Sequence, residues 1–395
     1  MLQRPNLTQR HYGFLALLVV AHFGHHLLTA LLVPLTPFLR DEFALSYAQT
    51  GWLVSAFTIA YGISQLPTGW LADRIGQRSL ITIGISGVAF SGLLVGLAPN
   101  YLFLAIFLVL LGIAAGGYHP AAAPLVSASV APQNRGRALG IHQIGGSASY
   151  FVAPLIAIAL TSVIGWRGSF IGLAVPVAIL GLALYVLLGR QQYRQITSGE
   201  TDSTTESAAS GRRRSLATFL ALAIISETTI WAIIAFVPLF LTDQAGVTEG
   251  RAGALLALAY SGGLWASPLG GYLCDRWGRV MMLVFTSLIA GVIIYLLTLA
   301  AYGWILFALL IALGMSAFFL IPVSEAYLIS RAPRQSRSTI LGVYYVGSVG
   351  GPGLIAPIIG HFIDRTGFDS SFAVVSLLLF AITLACAFVL WKDRS

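Results

Sequence analysis

The chain has 395 residues, with 22 Lys or Arg and 14 Asp or Glu, so 9% is charged against 57% apolar. A soluble globular domain carries about 25% charged residues, and this chain has too little polar surface to cover a core in water. A soluble enzyme, a disordered chain and a nucleic-acid-binding domain are thereby excluded. The net charge of +8 comes from basic residues scattered singly between long apolar runs, where they act as topology signals.

A helix needs about 20 apolar residues to cross a bilayer, and twelve runs qualify. Span 1 (13–38) is too long for a signal-peptide core and lacks a small-x-small cleavage site after it; it carries His22, His25 and His26 ahead of Pro34 and Pro37. Span 2 (48–71) leads through Gly69-Trp-Leu-Ala-Asp73-Arg74-Ile-Gly76-Gln-Arg78 into span 3 (79–98). Span 4 (101–129) contains Gly116-Gly117-Tyr118-His119-Pro120. Span 5 (138–163) follows Arg135-Gly136-Arg137 and holds His142-Gln143-Ile144-Gly145-Gly146, and span 6 (168–188) completes the first half. Residues 190–215 are rich in Ser, Thr, Gly and Glu and cannot form a packed core. They read as a flexible linker between a six-helix bundle at 1–189 and another at 216–395. Span 7 (216–241) carries Glu227 and Trp231. Span 8 (250–273) leads through Gly271-Tyr-Leu-Cys-Asp275-Arg276-Trp-Gly278-Arg279 into span 9 (280–300). Span 10 (303–329) holds Pro322 and Glu325. Span 11 (340–362) holds Tyr344, Tyr345 and Gly350-Gly351-Pro352, and span 12 (370–391) closes the chain.

Orientation follows from the basic residues. With the amino terminus in the cytoplasm, only Arg40, Arg167, Arg251 and Arg365 fall outside; the other eighteen of the 22 fall inside, and none is left at membrane depth. Both termini are expected in the cytoplasm of a cell inner membrane. Cys274 and Cys386 sit far apart in apolar or membrane-edge sequence and form neither a disulfide framework nor a zinc motif.

The halves repeat at an offset of 202 residues. The loops at 69–78 and 271–279 match at that offset, as do Pro120 with Pro322, Arg135 with Arg337, and Leu139-Gly140 with Leu341-Gly342. A parallel duplication of six helices relates the halves by a pseudo-twofold along the membrane normal. In the loop, Gly69 and Gly76 suit close helix approach and a tight turn. Asp73, at a helix end, can pair with an arginine or accept bonds from another helix amino terminus. Glycines and prolines in spans 5 and 11 occupy matching places and suit close packing and bending.

The G-x-L-a-D-R-x-G-x-R loop, its degenerate second copy, the twelve spans and the polar central linker resemble the major facilitator superfamily over the whole chain. The resemblance implies two six-helix bundles around a central cavity and alternating access, with Gly69, Asp73, Arg74, Gly76, Arg78, Gly271, Asp275, Arg276 and Gly278 governing conformation. It also implies a small-molecule substrate and a monomer. In the first half, the residues around His22–His26, Gly116–Pro120 and Arg135–Gly146 are similar to exporters of the fosmidomycin-resistance type. That group tends to carry acidic residues where His26 and Ala121 stand here.

Twelve of the fourteen acidic residues fall on loops or the linker; Glu227 and Glu325 lie at membrane depth. An ionisable side chain there is costly and marks function by default. With no Lys or Arg beside them, both are candidates for proton carriage. Five of the seven histidines, His22, His25, His26, His119 and His142, fall in spans 1, 4 and 5. In the superfamily these spans face the cavity, so the five histidines with Tyr118, Gln143, Trp231, Tyr344 and Tyr345 are the candidate substrate-binding residues. Neutral imidazoles also bind metal, which makes His25, His26 and His119 the candidate ligands if one is held. No zinc-protease, nucleophile-elbow, phosphate-loop or dinucleotide motif is present, so neither an enzyme nor a bound cofactor is expected. The expected function is proton-coupled export of a small amphipathic compound. Movement of a divalent metal or its chelate is the alternative, and a non-transporting sensor or membrane enzyme the rival of a different class.

Overall fold

The computed structural model describes residues 9–130, 135–190, 210–331 and 337–392. All regular structure among them is helical. Eight helical segments among the described residues are long and apolar enough to cross a bilayer. Two of these, Ala138–Leu188 and Ile340–Lys392, contain a break at Gly165 and Gly367, where φ is 71° and 79°. Ser169 Oγ beyond the first break donates to Ala157 O before it, at 2.9 Å, so the chain reverses there and each segment crosses twice. Tyr47–Ile75 and Glu249–Trp277 are less apolar and also cross, which completes twelve spans. The first span begins and the last span ends on the same side of the molecule, called here the terminal face; the opposite side is the far face.

Three of the spans depart from a continuous helix between the ends expected from sequence. Span 1 is broken: Gln9–Thr29 gives way to a 3-10 turn at Val33–Leu35 and a short helix at Thr36–Phe43. Pro34 and Pro37 lack the N–H that a continuous helix would use. Span 4 is broken likewise, between Tyr101–Ala115 and His119–Ala128. Span 7 instead begins at Ser210, inside the stretch read from composition as linker. Its first turns carry Arg212, Arg213 and Arg214, and arginine is a good helix former. Residues 191–209 lie outside the described residues.

The duplication at 202 residues is carried into the packing. Gly112 and Gly314 stand where a methyl group would collide with the carbonyl oxygens of Phe57 and Ala259 respectively, and both partners are also 202 apart. The tight turns at Gly76 and Gly278 have φ of 85° and 87°, a conformation only glycine adopts freely. Each half has its own buried core, one running from Phe14 to Leu188 and the other mostly from Phe219 to Leu390. Small residues let helix backbones approach where lipid gives no hydrophobic drive for association.

The halves meet along spans 2 and 11. A methyl at Gly51 would come within 2.7 Å of the Ala356 backbone, and one at Gly62 within 2.8 Å of Gly350 Cα. At the far face the seam is latched by polar groups. Arg40 pairs with Asp243, which also accepts from the Tyr47 hydroxyl. The Asp364 carboxylate accepts from Tyr47 N and Ala48 N, both at 2.9 Å, and so closes the amino end of span 2 from the other half.

Candidate functional site

Five histidines form one cluster inside the amino-terminal half. His22, His25 and His26 share a face of span 1, as spacings of three and four require. His119 opens the resumed helix of span 4 and His142 comes from span 5. Ring centroids lie 4.3 Å apart for His22–His142, 5.0 Å for His22–His26, 4.6 Å for His25–His26 and 5.4 Å for His26–His119. His22, His25, His26 and His142 are buried, and His119 is half-buried. Span 5 reaches this close because of its glycines: a methyl at Gly146 would sit 2.6 Å from His22 Nε2.

The hydrogen-bond network assigns the tautomers. His22 Nδ1 lies 3.0 Å from the His142 carbonyl oxygen, which can only accept, so Nδ1 carries the proton. Thr29 Oγ1 donates its hydrogen to His25 O at 3.2 Å, and therefore accepts from His26 Nδ1, also at 3.2 Å. The Tyr118 hydroxyl donates to Leu18 O at 3.1 Å, so His142 Nε2 donates to Tyr118 at 3.0 Å. His25 Nε2 lies 3.2 Å from the Tyr61 hydroxyl, while its buried Nδ1 has no partner among the described residues.

The second polar centre is in the carboxy-terminal half, where spans 7, 10 and 11 converge. Glu227 is 2% exposed. One of its oxygens accepts from Tyr344 Oη at 2.7 Å and Ser324 Oγ at 3.3 Å. Glu325 accepts from Tyr345 Oη at 2.8 Å. Consecutive tyrosines of span 11 thus hold one carboxyl each. The three ion pairs among the described residues all lie at the far face, and neither Glu227 nor Glu325 takes part in one.

An aromatic bridge runs from the histidine cluster to the other half. The Tyr150 ring lies 4.6 Å from His26, 5.2 Å from Tyr260, and 5.9 Å from both Trp231 and Phe318. Trp231 was anticipated from sequence; Tyr61, Tyr150, Tyr260 and Phe318 were not, since single aromatics in apolar helices carry no local signal. Tyr118 is buried and serves the histidine network, whereas Gln143 is exposed.

Around the repeated loop, Arg74 lies over the Trp70 ring at 3.8 Å. Arg78 donates to Tyr185 O at 2.5 Å, and Arg276 is exposed. Gly69, Asp73, Gly271 and Asp275, with Arg135 and Arg337, lie outside the residues whose side chains are described. The helix breaks at Gly76 and Gly278 stand where the loop motif puts them.

The family described as Major Facilitator Superfamily matches residues 18–224 and 219–395. A "Probable sulfoacetate transporter SauU" of Cupriavidus necator is 26% identical over 388 residues, covering 89% of this chain and 87% of the relative. A "Multidrug resistance protein MdtG" of Enterobacter lignolyticus is 26% identical over 339 residues, covering 83% of this chain and 80% of the relative. Among solved structures, a POT family transporter in complex with 5-aminolevulinic acid superposes with a TM-score of 0.82 at 14% identity, covering 97% of each chain. At that identity the likeness is one of fold.

Proposed function

The chain belongs to the Major Facilitator Superfamily, and from that premise we propose that it is a proton-coupled secondary transporter that exports a small amphipathic compound. The observation that carries the reading is Glu227: a carboxyl at membrane depth, buried, bonded by Tyr344 and Ser324 and without a cation paired to it. Such a group binds and releases a proton as the surrounding helices move. Glu325, on its own tyrosine, is the second site on the path.

The substrate lies between the halves on this reading, against the bridge of Tyr150, Trp231, Tyr260 and Phe318 and the edge of the histidine cluster. Aromatic faces and neutral imidazoles suit an amphipathic or cationic solute, and a permanently anionic phosphate calls for a fixed cation. The name of the multidrug-resistance relatives supports export. On this reading both termini lie in the cytoplasm of an inner membrane, as the distribution of basic residues implies, with the latch of Arg40, Tyr47, Asp243 and Asp364 outside.

Purified protein in liposomes with an imposed pH gradient tests this. Uphill movement of a lipophilic cationic dye is expected in the wild type and lost in Glu227→Gln. A Glu227→Gln protein that still concentrates the dye on the pH gradient alone overturns the assignment.

A further inference from the structure

The histidine cluster holds more than a substrate wall requires. One ring nitrogen from each of His22, His26 and His119 lies within 4.8 Å of one from each of the others. Two of the three rings are already oriented as metal ligands are. His22 and His26 each spend Nδ1–H on an oxygen acceptor, the His142 carbonyl and Thr29 Oγ1. That leaves the lone pair on Nε2, and a ligating histidine is commonly fixed through such a bond from its other nitrogen. Beside these rings, His25 Nδ1, on a fully buried ring centred 4.6 Å from His26 and 5.4 Å from His119, has no hydrogen-bond partner among the described residues, so the cluster is short of polar partners within the protein. A buried nitrogen left so is costly.

We propose that His22, His26 and His119 form a binding site for a late first-row divalent metal ion, of the Zn2+ or Co2+ kind. Three imidazoles select such ions over Mg2+ and Ca2+, which take oxygen ligands. Tetrahedral coordination at about 2.1 Å sets the nitrogens about 3.4 Å apart, so closure asks each ring for a shift of about 1 Å. The set differs from the one expected from sequence: the nitrogens that converge are those of His22, His26 and His119, so His22 takes the place of His25. The three ligands are neutral, so the ion keeps its full charge, and the open fourth position takes water or a small anion. Two ligands lie one turn apart on span 1 and the third sits at the break of span 4. A bound ion therefore staples the two interrupted helices of this half together.

The test uses the full-length protein in nanodiscs, free of any histidine tag, titrated with ZnCl2 and separately with CoCl2 at pH 7.5. One saturable Zn2+ per chain and visible Co2+ absorption of the tetrahedral type are expected. His119→Gln and His26→Gln should each weaken Zn2+ binding at least tenfold, whereas His361→Gln, exposed near the far face, should leave it unchanged. Excess MgCl2 should not compete. A wild type with no saturable Zn2+ binding, or one whose Co2+ spectrum stays that of the hexahydrate, overturns the proposal. So does a His119→Gln protein with wild-type affinity. Should His26→Gln fail to give monodisperse protein, the wild-type Co2+ spectrum and the half-buried His119 decide.

Discussion

Position 25 of span 1 and position 227 of span 7 are partners in the 202-residue repeat, as are 142 of span 5 and 344 of span 11. The first pair holds histidine and glutamate, the second histidine and tyrosine. One packing frame thus carries two chemistries. Imidazoles offer one donor and one acceptor each, and here they bond to the backbone and to the hydroxyls of Thr29, Tyr61 and Tyr118 rather than to one another. Carboxyls demand donors, and the second half supplies Tyr344, Ser324 and Tyr345. The backbone differs too. Spans 1 and 4 break beside the histidines, while their repeat partners run unbroken over Ser210–Asp243 and Trp304–Arg331. The frame was kept through the duplication because close helix contacts tolerate no added methyl. The polar centres were free to diverge.

The comparison can be broken first at its paired positions. Glu227→Gln is expected to cut proton-driven transport about 100-fold, the scale for losing a proton-transferring group, and to leave the folded state intact. His25→Gln should preserve the response to a pH gradient and change apparent substrate affinity instead. If the two variants behave alike in liposome flux, the halves do not divide the work as described.

The shared frame is the next target. Gly112→Ala and Gly314→Ala each drive a methyl into a backbone carbonyl. Each should destabilise the protein by about 3 kcal/mol, the upper part of the overpacking range. Gly140→Ala meets nothing within 4 Å and should be nearly neutral. Thermal unfolding in detergent ranks the three, and a large asymmetry between positions 112 and 314 would contradict a common frame.

Removing single hydroxyls sharpens the contrast between the polar centres. Tyr344→Phe deprives a buried carboxyl of its shorter hydrogen bond and should cost about 1–2 kcal/mol. Tyr118→Phe should cost less, because Leu18 O belongs to a helix ladder and the His142 Nε2–H left without its acceptor belongs to a neutral ring. Equal losses in the unfolding assay would mean that the imidazole cluster depends on donors as strictly as the carboxyls do.

The smallest effect belongs to the far-face latch. Glu249, at the mouth of span 8, has its carboxyl pushed up to about 7 by burial and then by a hydrogen bond with Asp41 and that residue's charge, against a lowering influence from Arg40. In an opened latch it returns toward the ordinary value of about 4.3. Closing therefore takes up a proton between those values, and the latch weakens as pH rises through 7. Glu249 is only partly buried, so solvent screening should keep the change under about 1 kcal/mol. Spin labels on the two halves at the far face should report more open population at pH 8 than at pH 5, and Glu249→Gln should flatten that difference.

Much of this was legible before any coordinates. Apolar runs gave the twelve spans because the bilayer's thickness sets helix length, and the offset of 202 paired the turn glycines Gly76 and Gly278, whereas the packing pair Gly112 and Gly314 emerged only from the contacts. Glu227 and Glu325 stood out because a carboxylate in hydrocarbon is rare. The helix breaks in spans 1 and 4 were marked by Pro34, Pro37 and the Gly116-Gly117 pair, but where each helix resumes depends on neighbouring packing. The bridge through Tyr150, Tyr260 and Phe318 left no trace, since an aromatic ring toward lipid and one toward the other half look alike in a sequence.

Sequence by itself determined the membrane class, the span count, the duplication and the residue types that bear charge or protons, because burial in lipid penalises polar groups whatever their partners. Tertiary structure alone decided the partners. It brought histidines 120 residues apart into one stack, gave Glu227 its tyrosine, and closed the far face with Arg40, Tyr47, Asp243 and Asp364. Those pairings depend on distances between helices, and the distances are set by which residues are small enough to let two backbones meet.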